Sequence, residues 1–137
     1  MNRVVVDASL ALAWGFPDEA SDYADAVLAA LDKKTISVPA LWPAEVANGL
    51  IVGERKKRLG VTEIKLFAAL IGNLSVEYDS QSYSHYSDTV LPFARDYGLT
   101  AYDASYLELS LRLAAPIATL DAKLRKACKQ AGVKFFQ

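Results

Sequence analysis

Short apolar, β-branched stretches alternate along the chain with longer stretches of helical periodicity. The apolar stretches at residues 3–6, 36–38, 75–78, 116–119 and 133–135 predict β-strands. Helices are predicted between and after them, at residues 9–14, 19–31, 43–58, 62–72, 80–97, 101–114 and 122–131. This alternation is typical of α/β proteins, so we expect a single-domain α/β/α sandwich with a central, mainly parallel five-stranded sheet.

Local signals refine some of these helices. Thr62 is expected to cap the helix that follows Gly60, and Pro92 to break or kink the pattern in which it lies. Val46, Leu50 and Gly53 recur at helical spacing. They predict a buried stripe in which a glycine lets a neighbouring element approach closely.

Composition narrows the class of protein. The chain has 137 residues, 53% of them hydrophobic, which is enough for one domain over residues 1–137. Its formal net charge of −1 argues against a general polyanion binder, and its single cysteine, Cys128, excludes an internal disulfide. Because no signal peptide is evident and no apolar run reaches ~18–20 residues, we expect a cytoplasmic protein that does not enter a membrane.

Four acidic residues lie where predicted strands are followed by helices. Asp7 and Asp121 come shortly after strands. Glu45 opens the helix that follows the second strand, and Asp103 opens the helix at residues 101–114. Ligands of parallel α/β sheets bind beyond the carboxyl ends of the strands, so these acids could share one edge.

Each acid also has a purely structural explanation. Asp7 and Asp121 could cap the helices that follow them, and Thr100 with Asp103 resembles a capping box. Glu45 lies in a first helical turn, where the helix dipole favours negative charge. Asp79 follows a predicted strand as well, and local pattern alone does not exclude it from a site. Capping, however, would be served equally well by Ser, Thr or Asn.

Four acids at one edge would need a cation. Two carboxylates about 4 Å apart repel by roughly 4 kcal/mol at an effective dielectric of ~20. Oxygen ligands without His or Cys suit Mg²⁺ or Mn²⁺, and such ions promote phosphodiester hydrolysis.

The motifs around these acids resemble those of a known family. Val-Val-Val-Asp7-Ala-Ser9, Glu45-Val-Ala-Asn48, Leu99-Thr-Ala-Tyr-Asp103-Ala-Ser-Tyr-Leu and Ala118-Thr119-Leu-Asp121 are similar in order and spacing to the PIN-domain ribonucleases. The short single-domain form resembles the VapC-type toxins of toxin–antitoxin pairs. The similarity extends from Arg3 to Phe135.

The resemblance implies a Mg²⁺- or Mn²⁺-dependent endoribonuclease whose catalytic and metal-binding acids are Asp7, Glu45, Asp103 and Asp121. It implies an RNA substrate, a cognate antitoxin that blocks the site, and a homodimer. Ser9 and Thr119 match hydroxyl positions that support the acids. Asn48, one turn beyond Glu45, could hydrogen-bond a ligand carboxylate or a metal-bound water.

Chemistry and resemblance together give a mechanistic hypothesis. Asp7 and Asp103 are the main metal ligands, and Glu45 and Asp121 bind a second ion or its water. Water attacks phosphorus in line, leaving 5′-phosphate and 3′-hydroxyl ends.

Other classes of protein fit less well. A phospho-receiver domain would have paired acids after the first strand, and an Asp-nucleophile phosphatase would have an acid where Ser9 stands. A non-catalytic PIN-like binding domain is a further alternative.

Basic residues provide candidate contacts to RNA. One run, Arg55-Lys56-Lys57-Arg58, ends the helix that begins near Glu45. Its first interpretation is a solvent-exposed helix terminus, where the helix dipole favours positive charge. A second group follows Asp121 more closely and could meet phosphates beside the acids. This group comprises Lys123, Arg125, Lys126 and Lys129.

Overall fold

A four-stranded parallel sheet forms the centre of the molecule in the computed structural model, which describes residues 2–137. The strands are β1 (Arg3–Val6), β2 (Thr35–Pro39), β3 (Ser75–Asp79) and β4 (Ile117–Ala118), in the order β3-β2-β1-β4. The central strand β1 contributes Val4, Val5 and Val6, all buried, as expected for a strand covered on both faces. Val5 pairs with Ser37 of β2 and with Ile117 of β4, so the carboxyl ends of these strands lie together.

Within residues 2–137, eight α-helical segments surround this sheet. They are α1 (Ala8–Ala13), α2 (Asp22–Ala30), α3 (Trp42–Arg55), α4 (Val61–Gly72), α5 (Tyr83–His85), α6 (Leu91–Tyr97), α7 (Ala101–Leu113) and α8 (Ala122–Ala131). No helix within residues 2–137 is long and apolar enough to cross a bilayer.

The fifth predicted strand, at residues 133–135, does not form. This segment makes one parallel bridge, between Phe135 and Ile117. Ile117 donates its N–H to Lys134 and accepts from the N–H of Phe136, at 3.0 and 2.8 Å. Because β4 has only two residues, it offers a neighbouring strand little more than the backbone N–H and C=O of Ile117. The prediction of an α/β fold with a parallel sheet is confirmed, and that of a fifth strand is wrong.

Two predictions about individual helices also differ from the structure. The predicted cap at Thr62 is wrong, because α4 already begins at Val61 and Gly60 is its N-cap. The predicted helix at residues 80–97 is divided by a π-helical turn, Tyr86–Val90, which immediately precedes α6 and its proline.

Close packing on α3 follows the predicted stripe. Gly53 is buried, and a Cβ built there would come within 2.3 Å of Phe16 and 2.6 Å of Leu59. Val46 is buried and Leu50 packs against the core. The predicted close contact at Gly53 is therefore confirmed.

Candidate metal and active site

Asp7 leaves β1 and caps α1 with its side chain. The Asp7 carboxylate accepts from the N–H of Leu10 at 3.0 Å, as an N-cap should. It also accepts from the hydroxyl of Ser9, 2.9 Å from both oxygens, and from that of Thr119 at 2.5 Å. The carboxylate is only 3% exposed, yet all of these donors are neutral. Capping is therefore part of its role but does not account for the two hydroxyls.

The surroundings of Asp7 make its charged form unfavourable. Burial is the main cause that raises the pKa of Asp7, from 3.8 to about 6. Hydrogen bonds from Thr119, Leu10 and Ser9 lower this pKa, while the charge of Asp121 raises it further. A buried acid held by neutral donors beside a second acid is a site where a cation would be stabilised.

Thr119 connects Asp7 to Asp121. Its hydroxyl donates to Asp7 and accepts from the backbone N–H of Asp121 at 3.0 Å. Asp121 caps α8 by accepting from the N–H of Leu124 at 2.8 Å. The guanidinium of Arg125 donates to the Thr119 carbonyl at 3.0 Å and lies 4.2 Å from the centre of the Phe135 ring. Arg125 therefore supports the turn between β4 and α8, in addition to being a candidate RNA contact.

Asp103 lies in the first turn of α7, and Thr100 caps this helix by accepting from the N–H of Asp103 at 3.1 Å. The Asp103 side chain is half-buried. Its pKa is raised by burial first, then by the charges of Asp121 and Glu45, and is lowered by Lys123. Asp103 therefore has two acids and one lysine as electrostatic neighbours.

Glu45 lies in the first turn of α3, opposite a buried tyrosine of α7. The hydroxyl of Tyr106 donates to Oε1 of Glu45 at 2.6 Å. Burial raises the pKa of Glu45, and the hydrogen bond from Tyr106 partly offsets this. The sequence analysis did not identify Tyr106 as a site residue. The available signal was its place three residues after Asp103, in the motif at residues 99–107.

The four acids are thus electrostatic neighbours, connected through Asp121 and Asp103. The charge of Asp121 acts on both Asp7 and Asp103, and that of Glu45 acts on Asp103. Within residues 2–137, no three His, Cys, Asp or Glu side chains are arranged to hold a metal ion together. Mg²⁺ usually keeps several waters and takes one or two carboxylates from a protein, so pairs of these acids fit its chemistry.

Two other acids belong to a separate cluster. Asp79, at the end of β3, accepts two hydrogen bonds from Arg112, at 3.0 and 2.6 Å. Glu108, which the sequence analysis missed, is 5% exposed and accepts from Arg112 at 2.8 Å and from His85 at 2.9 Å. The arginine explains the position of Asp79 without a metal.

The remaining candidates are on the surface. Asn48 is exposed one turn beyond Glu45 on α3, and its role stays a prediction. Arg58, in the basic run, pairs with Asp18 and Glu19 and lies over the ring of Phe16. This arginine is therefore a structural residue that holds the turn after α1 against the end of α3.

Comparison with known proteins agrees with this fold. The model of the PIN domain family matches residues 4–130. This chain belongs to the PIN domain family. A curated relative of this PIN domain, Ribonuclease VapC3 of Pyrobaculum aerophilum, is 30% identical over 123 residues, covering 89% of this chain and 92% of that protein. The predicted membership in the VapC-type PIN domains is confirmed.

Solved structures have the same fold. The crystal structure of PAE2754 from Pyrobaculum aerophilum has a TM-score of 0.69 and 23% identity, covering 91% of this PIN domain and 85% of that chain. The crystal structure of FitAcB from Neisseria gonorrhoeae has a TM-score of 0.59 and 18% identity, covering 98% of this PIN domain and 96% of that chain. At these identities the two structures support the fold alone.

Proposed function

We propose that this PIN domain is a Mg²⁺- or Mn²⁺-dependent endoribonuclease that acts as the toxin of a toxin–antitoxin pair. One observation carries the proposal. Four carboxylates from different parts of the chain are electrostatic neighbours, and burial raises the pKa of Asp7, Glu45 and Asp103. Such an arrangement is unfavourable without a cation and is expected at a functional site. The similarity to Ribonuclease VapC3 supports RNA as the substrate.

Pairs drawn from Asp7, Asp103, Asp121 and Glu45 would hold the metal, with water completing its coordination. Their oxygen-only donor set suits Mg²⁺ or Mn²⁺. When bound, the ion supplies positive charge that activates water and stabilises the extra charge of phosphodiester hydrolysis. Ser9 and Thr119 fix the orientation of Asp7 through their hydroxyls.

Lys123 is the candidate contact to the RNA backbone. Its charge acts on Asp103, and its side chain is exposed. A phosphate oxygen could therefore meet Lys123 while the neighbouring phosphodiester faces Asp103. We expect cleavage to leave 5′-phosphate and 3′-hydroxyl ends.

The partner assignments follow from the same similarity. We expect a cognate antitoxin that inhibits cleavage, and a homodimer. Co-expression with candidate antitoxins, followed by size-exclusion chromatography with light scattering and by a cleavage assay, measures both. Recovery of a monomer that no co-expressed partner inhibits would leave the nuclease proposal intact and remove the toxin assignment.

The nuclease proposal is tested with Asp103→Asn. Without a carboxylate at this position, the rate of Mn²⁺-dependent RNA cleavage is expected to fall by about 100-fold or more. Asp25→Asn is the matched control, because Asp25 is exposed on α2 and leaves the acids unchanged. Equal cleavage by both variants and the wild type would contradict the proposal.

Metal titration separates the nuclease from the non-catalytic alternative. A catalytic PIN domain is expected to bind Mn²⁺ in electron paramagnetic resonance titrations, and Asp103→Asn to weaken that binding. If the wild type neither binds Mn²⁺ nor cleaves RNA, the chain is a binding domain of the same fold.

A further inference from the structure

The hydroxyl of Tyr106 is one of few polar groups that reach a candidate ligand from inside the core. Tyr106 is 1% exposed and among the largest fully buried side chains. Its hydroxyl lies 2.6 Å from Oε1 of Glu45, whereas Glu45 itself is only half-buried. A rigid, buried donor is thus aimed at a carboxylate on the edge of the site.

The two ends of this contact belong to different helices, 61 residues apart. Glu45 stands in the first turn of α3, where its long side chain could adopt several rotamers. Tyr106 has no such freedom, because its ring is enclosed by the core. The hydrogen bond from this fixed hydroxyl therefore restricts the Glu45 carboxylate to one position.

The same helix also positions Asp103. Asp103 and Tyr106 are three residues apart on α7 and so lie on neighbouring turns of one face. The charge of Glu45 in turn acts on Asp103. One helix thus sets the position of one acid directly and that of a second acid through a hydrogen bond.

We propose that Tyr106 is a positioning residue for the metal site: its hydroxyl occupies Oε1 of Glu45, fixes the carboxylate and leaves Oε2 free to act together with Asp103. This inference rests on the proposed function. It assigns Tyr106 no contact with substrate or with the ion. Partners that orient a metal ligand in this way affect metal affinity nearly as strongly as the ligands do.

Tyr106→Phe tests the proposal, because it removes the hydroxyl and keeps the ring. Mn²⁺ affinity, measured by electron paramagnetic resonance, is expected to fall by about 10- to 100-fold. Tyr23→Phe is the matched control. Its hydroxyl donates its hydrogen bond to the carbonyl of Phe136 at 2.7 Å rather than to one of the four acids. We expect its Mn²⁺ affinity to be that of the wild type.

A double-mutant cycle with Glu45→Gln separates positioning from general loss of packing. If Tyr106 acts through Glu45, Tyr106→Phe weakens Mn²⁺ binding in the wild type and has no further effect in Glu45→Gln. An equal loss in both backgrounds, or no loss in either, would overturn the proposal. Thermal unfolding checks that each variant is folded. A variant unfolded at the assay temperature is measured with trimethylamine N-oxide, which favours the folded state.

The outcome also distinguishes the two proposals. A wild type that binds Mn²⁺ and cleaves RNA, together with a Tyr106→Phe variant of equal affinity, rejects the role of Tyr106 alone. A wild type that binds no Mn²⁺ rejects the proposed function and the role of Tyr106 with it.

Discussion

Asp7 combines a favourable hydrogen-bonding position with an unfavourable charge. Its carboxylate caps α1 and accepts from Ser9 and Thr119, yet burial raises its pKa to about 6. The folded protein therefore binds a proton at Asp7 more readily than the unfolded chain does. This preference has a direct consequence for stability in the absence of metal.

Asp7→Asn is expected to flatten the pH dependence of stability in EDTA. Asp7 contributes stability that is fully present below its ordinary pKa of 3.8 and is lost as the pH rises through about 6. A shift of roughly two units corresponds to about 3 kcal/mol over the whole titration, of which roughly half falls between pH 5 and pH 8. Urea unfolding at about pH 5 and about pH 8 should therefore show a smaller difference for the variant than for the wild type. Identical differences would contradict the raised pKa.

Single residues were predictable from sequence where their role is local. The positions of Asp7 after a strand and of Asp103 at a helix start followed from neighbouring residues. The contact between Tyr106 and Glu45 did not, because 61 residues separate them and only the folded chain brings them together. Glu108 was missed because its arginine and histidine partners could not be paired from sequence.

At the scale of elements, the glycines of α3 determine how closely this helix packs against α1 and the residues that follow it. Gly49 faces Leu12 of α1, and Gly53 faces Phe16 and Leu59. Because α3 also presents Glu45, this packing helps to set the position of an acid of the candidate site.

Gly53→Ala is expected to destabilise the protein although alanine is the better helix former. The new Cβ would lie 2.3 Å from Phe16, and such overpacking costs typically about 1–3 kcal/mol. Gly72→Ala, the control at the end of α4, has nothing within 4 Å of the new atom. It should increase the free energy of unfolding by up to about 1 kcal/mol. Denaturant unfolding measures both, and a gain in stability for Gly53→Ala would show that α3 can move away.

Predictions of whole elements failed at the edge of the sheet and at the start of a helix, where the outcome depends on neighbouring elements. Residues 133–135, Val-Lys-Phe, had the alternation of apolar and polar side chains that is typical of a strand, but β4 is too short to pair with them beyond Ile117. Thr62 had the chemistry of a cap, but α4 begins one residue earlier. Composition identifies the elements, whereas their ends depend on which backbone groups the fold leaves unpaired.

At the scale of the whole molecule, a charged cluster joins β3, α5 and α7. Arg112 of α7 binds Asp79 at the end of β3 and Glu108 within its own helix, and His85 of α5 binds Glu108. Burial alone would raise the pKa of Glu108, but hydrogen bonds from Arg112 and His85 bring it below its ordinary value. The hydrogen bond from Arg112 likewise lowers the pKa of Asp79.

Arg112→Met is expected to destabilise the protein at neutral pH by about 2–3 kcal/mol, because buried Glu108 loses a charged partner. Asp79 and Glu108 contribute stability above their ordinary pKa values, 3.8 and 4.5, and lose it as the pH falls through their lowered values. The variant should therefore lose less stability on acidification. Arg95→Met, exposed on α6, is the control for denaturant unfolding at neutral and acidic pH. Equal acid sensitivity of Arg112→Met and the wild type would contradict this assignment.

Cys128 of α8, the only cysteine of the chain, is fully buried, and burial raises the pKa of its thiol to about 11. Because the thiolate is the reactive form, a thiol reagent can modify it only in molecules that have opened around α8. The rate at which Cys128 is modified therefore reports how often the region around α8 opens. Any ion or partner that binds the closed molecule should lower this rate in proportion to its occupancy.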